Sequence, residues 1–262
     1  MPATLPPADR AKQAAADRAV DFVQDGMRLG LGTGSTAAFM VRRLGERVRD
    51  EGLRVVCVPT STRTAEQARA EGLRVVTLDQ AGWLDLTIDG ADEFDPELTL
   101  IKGAGGAHLR EKVVAAASDR MIVIADPGKR VARLGAFCLP VEVLAFGLAS
   151  TERHLRGLLA DLGYGEKPIS RRMAGAVPFV SDEGNAILDL HLGTIADART
   201  LAQALNQIPG VVENGLFIGM SDLVVIGHSD GTSELVEARA GVVKAMCAPF
   251  VCQNNPFADI GA

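Results

Sequence analysis

Three features of the chain predict an α/β fold built on a Rossmann-like, mostly parallel sheet. Short strand-like apolar runs alternate with helix-spaced segments through the first half. A glycine-rich turn, Gly30-Leu-Gly-Thr-Gly-Ser-Thr-Ala37, joins one such strand to a helix. Near Ala136 the period changes to β-α-β-β-α-β, the ferredoxin-like order, so an α+β domain is expected to be inserted into the first. We expect residues 1–135 and 219–262 to form the Rossmann-like catalytic domain, and 136–218 the ferredoxin-like domain that supports it and makes subunit contacts.

The elements can be justified in order. Residues 8–24 set Ala, Val and Phe against charged positions at helical spacing, with Lys12 in the first turns. A strand over 28–31 enters the glycine turn, and Phe39, Met40, Val41 and Leu44 continue as a helix. A strand over 53–58 runs into Pro59-Thr-Ser-Thr62, followed by a helix over 65–71 and a strand over 73–78. Leu84, Leu86 and Ile88 alternate up to Asp89, and Leu98, Leu100 and Ile101 form a run ending at Lys102. The link between these runs is too short for a helical crossover, which leaves the direction of the second strand open. From Ala107 the pattern is helical, with Leu109, Val113, Val114 and Ala117 in phase, so Glu111 falls early on a helix. Residues 121–125 read as a buried strand ending in Asp126-Pro-Gly-Lys129.

In the second half, strands are expected over 137–143 and 211–218 and helices over 151–162 and 197–207. Segments 177–180 and 186–192 should form a hairpin about Asp182-Glu-Gly-Asn185, and 223–226 a strand returning to the first sheet. The tail after Val243 contains Pro249 and Pro256 and has no period.

Composition narrows the function. The net charge of −6 argues against an electrostatic nucleic-acid surface, and Arg171 and Arg172 are too few for a basic patch. No apolar run is long enough for a membrane span, and the first residues lack the apolar segment of a secretory signal, so a cytoplasmic protein is expected. Cys57 and Cys138 lie in apolar runs, while Cys247 and Cys252 lack a second pair or a nearby histidine. The four histidines are scattered, and neither a metal nor another cofactor is expected.

Chemistry concentrates between Asp89 and Glu111. Asp89 and Lys102 stand where strands end, and in open α/β sheets ligands bind beyond those ends. Asp89 and Asp92 also suit a simple turn about Gly90, and that alternative stands beside the functional one. The glycine turn at 30–37 can hold an anion through backbone N–H groups and a helix N-terminus. It lacks the lysine of a Walker A loop. Gly32, Gly34 and Ala37 fit a dinucleotide fingerprint, but the second strand ends in Pro59-Thr-Ser-Thr62 where that fold wants an acid. The hydroxyls of Thr33, Ser35 and Thr36 favour a phosphate monoester. Lys129 is a further cation at a strand end, for which a solvated loop lysine is the simpler reading.

Several motifs in register resemble ribose-5-phosphate isomerase A: GTGSTA at 32–37, DGADE at 89–93, IKGAGGA at 101–107 with REK at 110–112, LPVEV at 139–143 and IPGVVENGLF at 208–217. The resemblance runs from about Lys12 to about Gly231. It implies an aldose–ketose isomerase of the non-oxidative pentose phosphate pathway that interconverts ribose 5-phosphate and ribulose 5-phosphate without a metal. It implies Glu111 as the base moving a proton between C2 and C1, and Asp89 and Asp92 as acids handling hydroxyl protons. Lys102 would stabilise the enediolate oxygen. Lys12, Thr33, Gly34, Ser35, Thr36, Gly90, Ala91, Gly103, Ala104, Gly105 and Lys129 would contact the sugar phosphate. A homodimer or homotetramer is also implied. Ala104 departs from the glycine common in the family, and its Cβ would crowd a close backbone contact.

Two other classes compete. A sugar-phosphate sensor needs the phosphate loop but not Glu111, Lys102 and two aspartates together. An amino-sugar-phosphate deaminase needs a ring-opening group such as histidine, which no motif here supplies.

Overall fold

The computed structural model describes residues 5–237. The chain opens with helix α1 (Pro7–Val20), whose proline at the start suits a first turn that has no N–H bond to lose. Strand β1 (Arg28–Leu31) leads into α2 (Ser35–Glu51), and β2 (Val56–Pro59) into α3 (Thr62–Ala70). Next come β3 (Arg74–Val75), α4 (Leu78–Ala81), β4 (Leu86–Gly90), β5 (Glu93–Phe94), β6 (Leu100–Ile101), α5 (His108–Ala116) and β7 (Met121–Ala125). The second half holds β8 (Leu139–Val143), α6 (Leu148–Asp161), β9 (Ile169–Arg171), β10 (Met173–Ala174), β11 (Val177–Pro178), β12 (Ala186–Leu190) and α7 (Ala198–Leu205). Strands β13 (Val211–Asn214), β14 (Leu216–Phe217), β15 (Leu223–Gly227) and β16 (Ser233–Glu237) complete it.

Among the described residues the large sheet has seven strands in the order β16-β15-β7-β4-β1-β2-β3, all parallel except β16. Its central strands are apolar on both faces because helices or other elements cover both. In β7, Ile122 and Ile124 join the core under α1 and α2, while Met121, Val123 and Ala125 join a second cluster with Phe94 and Phe217. The same two-residue period in β4 sends Leu86 and Ile88 into the first core and turns Asp89 to the opposite face. β1 and β4 are adjacent, yet the chain leaves β1 toward β2 on the other side. The crevice beyond their carboxyl ends is thus a topological switch point, the place where such sheets bind ligands.

A second sheet runs β13-β8-β12-β9, antiparallel throughout, over its own apolar cluster. With α6 and α7 as its helices, this is the ferredoxin-like arrangement. A small third sheet, β14-β6-β5, is also antiparallel and settles the direction left open in the sequence. The chain changes sheets at Gly215, whose N–H donates to Pro140 O and whose carbonyl accepts the Lys102 N–H at 2.9 Å.

Several expectations need correction. The hairpin joining 177–180 to 186–192 does not form. β11 pairs with β10, and β12 pairs with β8 and β9. Val177 and Val180 are 62% and 59% exposed, so their apolar character never marked a core strand. The strand expected over 211–218 is two strands in different sheets, and the one over 73–78 shrinks to β3 because Thr77 caps α4 through a capping box. β16 was not anticipated; its mostly exposed, charged pattern suits an edge. Cys57 is buried in β2, where burial pushes its thiol up to about 12, and Cys138 is half-buried. Cys247, Cys252 and the tail after Val243 lie outside the described residues.

Candidate active site

The carboxyl ends of β1, β2, β4 and β7 border a cavity of about 380 Å³. Its wall includes Thr33, Gly34, Ser35, Thr36, Gly90, Ala91, Asp92, Lys102, Gly103, Ala104, Gly105, Glu111 and Lys129, all anticipated from sequence. Larger hollows of about 590 and 860 Å³ lie by Tyr164 and by Val113, but no buried charged side chain lines either.

At the floor, Lys102 is the hub. Its Nζ stands 2.9 Å from Asp89 Oδ2 and 3.0 Å from Glu111 Oε2, and it donates to Gly90 O at 2.6 Å. The Phe217 ring lies 5.3 Å away on a further side. Asp89, Lys102 and Glu111 are 0%, 2% and 4% exposed, so three charged groups share one almost dry site. Asp89 is held from behind, where Oδ1 accepts from Thr33 N at 3.1 Å and Gly90 N at 2.7 Å. This packing explains Gly32, since a Cβ there would lie 2.0 Å from Asp89 Oδ1.

Burial drives the electrostatics. Glu111 is pushed up to about 8, first by desolvation and then by the charge of Asp89, with Lys102 opposing. Asp89 is also raised by desolvation, against the pull of Lys102. For Lys102 desolvation acts downward, but Asp89 and then Glu111 outweigh it and keep the ammonium protonated. One fixed cation therefore faces two carboxylates, and one of these can carry a proton near neutrality.

The glycine turn differs in detail from expectation. The Gly32 N–H bonds Ile88 O and the Thr33 N–H bonds Asp89, so neither is open to an anion. The Thr33 hydroxyl is within 2.8 Å of both Thr60 and Ser61, in a network that ties the turn to the start of α3. Ser35 and Thr36 stand in the first turn of α2, where N–H groups have no intrahelical partner and no acidic side chain intervenes. Asp92 Oδ2 accepts the Ala104 N–H at 2.8 Å. The φ of Ala104 is not positive, so its Cβ is tolerated. The glycine demand falls instead on Gly103, at φ 118, where a Cβ would meet His108 Nδ1 at 2.8 Å.

Two anticipated residues are not in the cavity wall. Asp89 lies behind Lys102 with no exposed surface. Lys12 stands on α1 with Nζ 3.2 Å from Asp9. Three residues escaped the sequence reading. Arg63 lines the cavity from the first turn of α3; its signal was the Pro59-Thr-Ser-Thr62 strand end, read above only for its missing acid. Phe217 reaches the site from β14 and Arg172 from the link between β9 and β10, and no local pattern marks them. Among the described residues, no cluster of three or more His, Cys, Asp or Glu side chains is placed to hold a metal ion. Among them too, no helix is long and apolar enough to cross a membrane.

Comparison with known proteins places the chain in one family. The family model described as ribose 5-phosphate isomerase A (phosphoriboisomerase A) matches residues 56–231. A protein of Cereibacter sphaeroides named ribose-5-phosphate isomerase A is 60% identical over 261 residues, covering 100% of both chains. The solved ribose 5-phosphate isomerase of Plasmodium falciparum superposes with a TM-score of 0.83 at 35% identity, covering 88% of this chain and 99% of that one. A D-ribose-5-phosphate isomerase solved in complex with phospho-erythronic acid gives 0.78 at 33% identity, covering 86% and 97%. The chain belongs to the ribose 5-phosphate isomerase A family.

Proposed function

We propose that the protein interconverts D-ribose 5-phosphate and D-ribulose 5-phosphate through an enediolate, with Glu111 as the base. The observation that carries this reading is the buried contact of Glu111 with Lys102 at 3.0 Å on the floor of a cavity whose wall also presents Arg63 and Lys129. Isomerisation removes a proton from C2 of the open-chain aldose and returns one to C1, which a single carboxylate can do. As C2 loses its proton, negative charge grows on the carbonyl oxygen, and a preorganised ammonium stabilises it. A hydroxyl proton must also pass from O2 to O1. Asp92 lines the cavity with only one carboxylate oxygen engaged by Ala104, which suits it to that transfer and to ring opening. Asp89, shut behind Lys102, is better suited to holding the ammonium in place. The phosphate would lie at the N-terminus of α2 with Ser35, Thr36, Arg63 and Lys129, supplying binding energy remote from the reacting carbons.

The test is conversion of ribose 5-phosphate by the purified protein in EDTA, beside Glu111→Gln. The parent should form ketose at an undiminished rate, because Lys102 supplies the positive charge. The variant should lose about 10²–10⁴-fold in kcat. An active parent with a nearly equal variant would remove Glu111 from the role. Binding without turnover by the parent would favour a sensor.

A further inference from the structure

We infer that Arg172, held by Asp189, is a positioning residue of this site: it sets the peptide planes of the Gly103–Gly105 turn so that the Gly105 N–H faces the cavity beside Lys102. The inference rests on the isomerase reading for its kinetic consequence, though not for its geometry.

The turn has little to fix it from within. Gly103 and Gly106 both have positive φ, Ala104 and Gly105 are exposed, and the single internal bond runs from Gly106 N to Gly103 O. Two outside groups hold it. On one side Asp92 accepts the Ala104 N–H at 2.8 Å. On the other, Arg172 Nη1 donates to Gly103 O and, at 3.2 Å, to Ala104 O. A trans peptide points its N–H opposite to the C=O of the same plane, and the described chain has no cis bonds. Drawing Gly103 O toward Arg172 therefore turns the Ala104 N–H toward Asp92. Drawing Ala104 O the same way turns the Gly105 N–H away from Arg172. Gly105 lines the cavity and Arg172 does not, so the freed donor is turned toward the cavity. Among the described residues no acceptor pairs with that N–H.

Arg172 is itself anchored. Its Nε and Nη2 grip both oxygens of Asp189, one of them at 3.0 Å, and the two side chains are each 12% exposed. Asp189 lies in β12, between two neighbouring strands, paired with Pro140 of β8 and Ser170 of β9. The backbone of Arg172 is tied at both ends, its N–H to Ile187 O and its carbonyl to Phe179 N, each at 2.9 Å. A planar guanidinium can serve a carboxylate along one edge and carbonyls along another, whereas a lysine ammonium is a point donor on a flexible stem. The ferredoxin-like sheet thus acts on the reaction through one rigid strut.

The experiment compares the full-length parent with Arg172→Ala, Arg172→Lys and Asp189→Asn. Hydrogen exchange should speed up across 103–106 in each variant, with residues 121–125 of the large sheet unchanged. For ribose 5-phosphate, kcat should fall about a hundredfold in Arg172→Ala and at least about tenfold in Arg172→Lys, with KM within about threefold, because misplacement by an ångström near the chemistry has that effect. Added guanidinium ion should restore part of kcat to Arg172→Ala and none to Arg172→Lys. Unchanged exchange over 103–106, or kcat within about twofold of the parent, would overturn the inference. So would loss of kcat with faster exchange throughout the ferredoxin-like sheet and no guanidinium rescue. A parent inactive on ribose 5-phosphate would count against the isomerase reading alone, since the exchange measurement still decides whether Arg172 orders the turn.

Discussion

His108 and Glu111 stand one helical turn apart on α5, both buried, yet their surroundings make them opposites. His108 faces Glu142 of β8, with Nε2 4.0 Å from Oε2, and its ring nitrogens find no well-formed hydrogen bond among the described residues. Burial, then the charge of Lys112, pushes its imidazole down to about 3, so it stays neutral. Glu111 is equally dry but meets an ammonium and the wall of a cavity, and it is pushed up to about 8. The lesson is that burial alone perturbs a titratable group without giving it work. Reactivity needs burial together with a fixed opposite charge and an opening through which a substrate atom can arrive.

The sharpest way to break this contrast is to remove the charge. Lys102→Met keeps the length and the contact with Phe217 but deletes the cation. We expect kcat to fall about 10²–10³-fold, the scale for losing one preorganised group that stabilises developing charge. Retention of kcat within tenfold would mean that another group stabilises the oxygen. The next effect is on pH. With Glu111 at about 8, roughly one site in ten is ionised at pH 7, so kcat/KM should rise about tenfold between pH 7 and 9 and then level. Lys102 remains protonated over that range. A profile flat from pH 6 to 9 would show that the base is already ionised.

A smaller effect concerns stability. The folded protein keeps the Glu111 proton between the ordinary carboxyl value of 4.5 and about 8, where the unfolded chain has lost it. That contribution is complete below about 4.5 and is lost as pH rises through about 8. Glu111→Gln carries no such penalty, and Asp89 still pairs with Lys102. The variant should therefore melt higher than the parent at pH 9, by about 2–4 °C for each kcal/mol recovered, with the gap closing at pH 5. A gap independent of pH would sink the explanation.

The sequence displayed the large sheet better than the ferredoxin-like one, for a physical reason. Strands such as β7 are buried on both faces and read as unbroken apolar runs, and β4 ends in acid where the site begins. The ferredoxin-like order was legible, but its pairing was not, because Val177 and Val180 carry strand character on an exposed surface. The site was legible wherever a residue sits at a strand end or helix start, as do Glu111, Lys102 and Asp92. Arg172 and Phe217 were hidden because they act across sheets, on partners 68 and 115 residues away by chain numbering. The contacts of the Thr33 hydroxyl were not legible because its partners, Thr60 and Ser61, come from the neighbouring strand end.

The mildest test returns to the other side of α5. Glu142 Oε1 accepts from Ser181 Oγ at 2.6 Å and Asn185 Nδ2 at 3.0 Å, while Oε2 faces His108 without a hydrogen bond. Glu142→Gln keeps an acceptor for Ser181 and Asn185 and puts an amide donor where Oε2 stood, toward a neutral ring nitrogen. Satisfying two buried polar atoms in this way should leave the melting temperature equal or a few degrees higher. His108 packs against Gly103, and neither it nor Glu142 lines the cavity, so kcat and KM should stay within about twofold of the parent. A tenfold fall in kcat would carry the opposite message: that the His108–Glu142 contact, pressed against Gly103, helps place Lys102. The two clusters of α5 would then be one device rather than a working site beside a structural one.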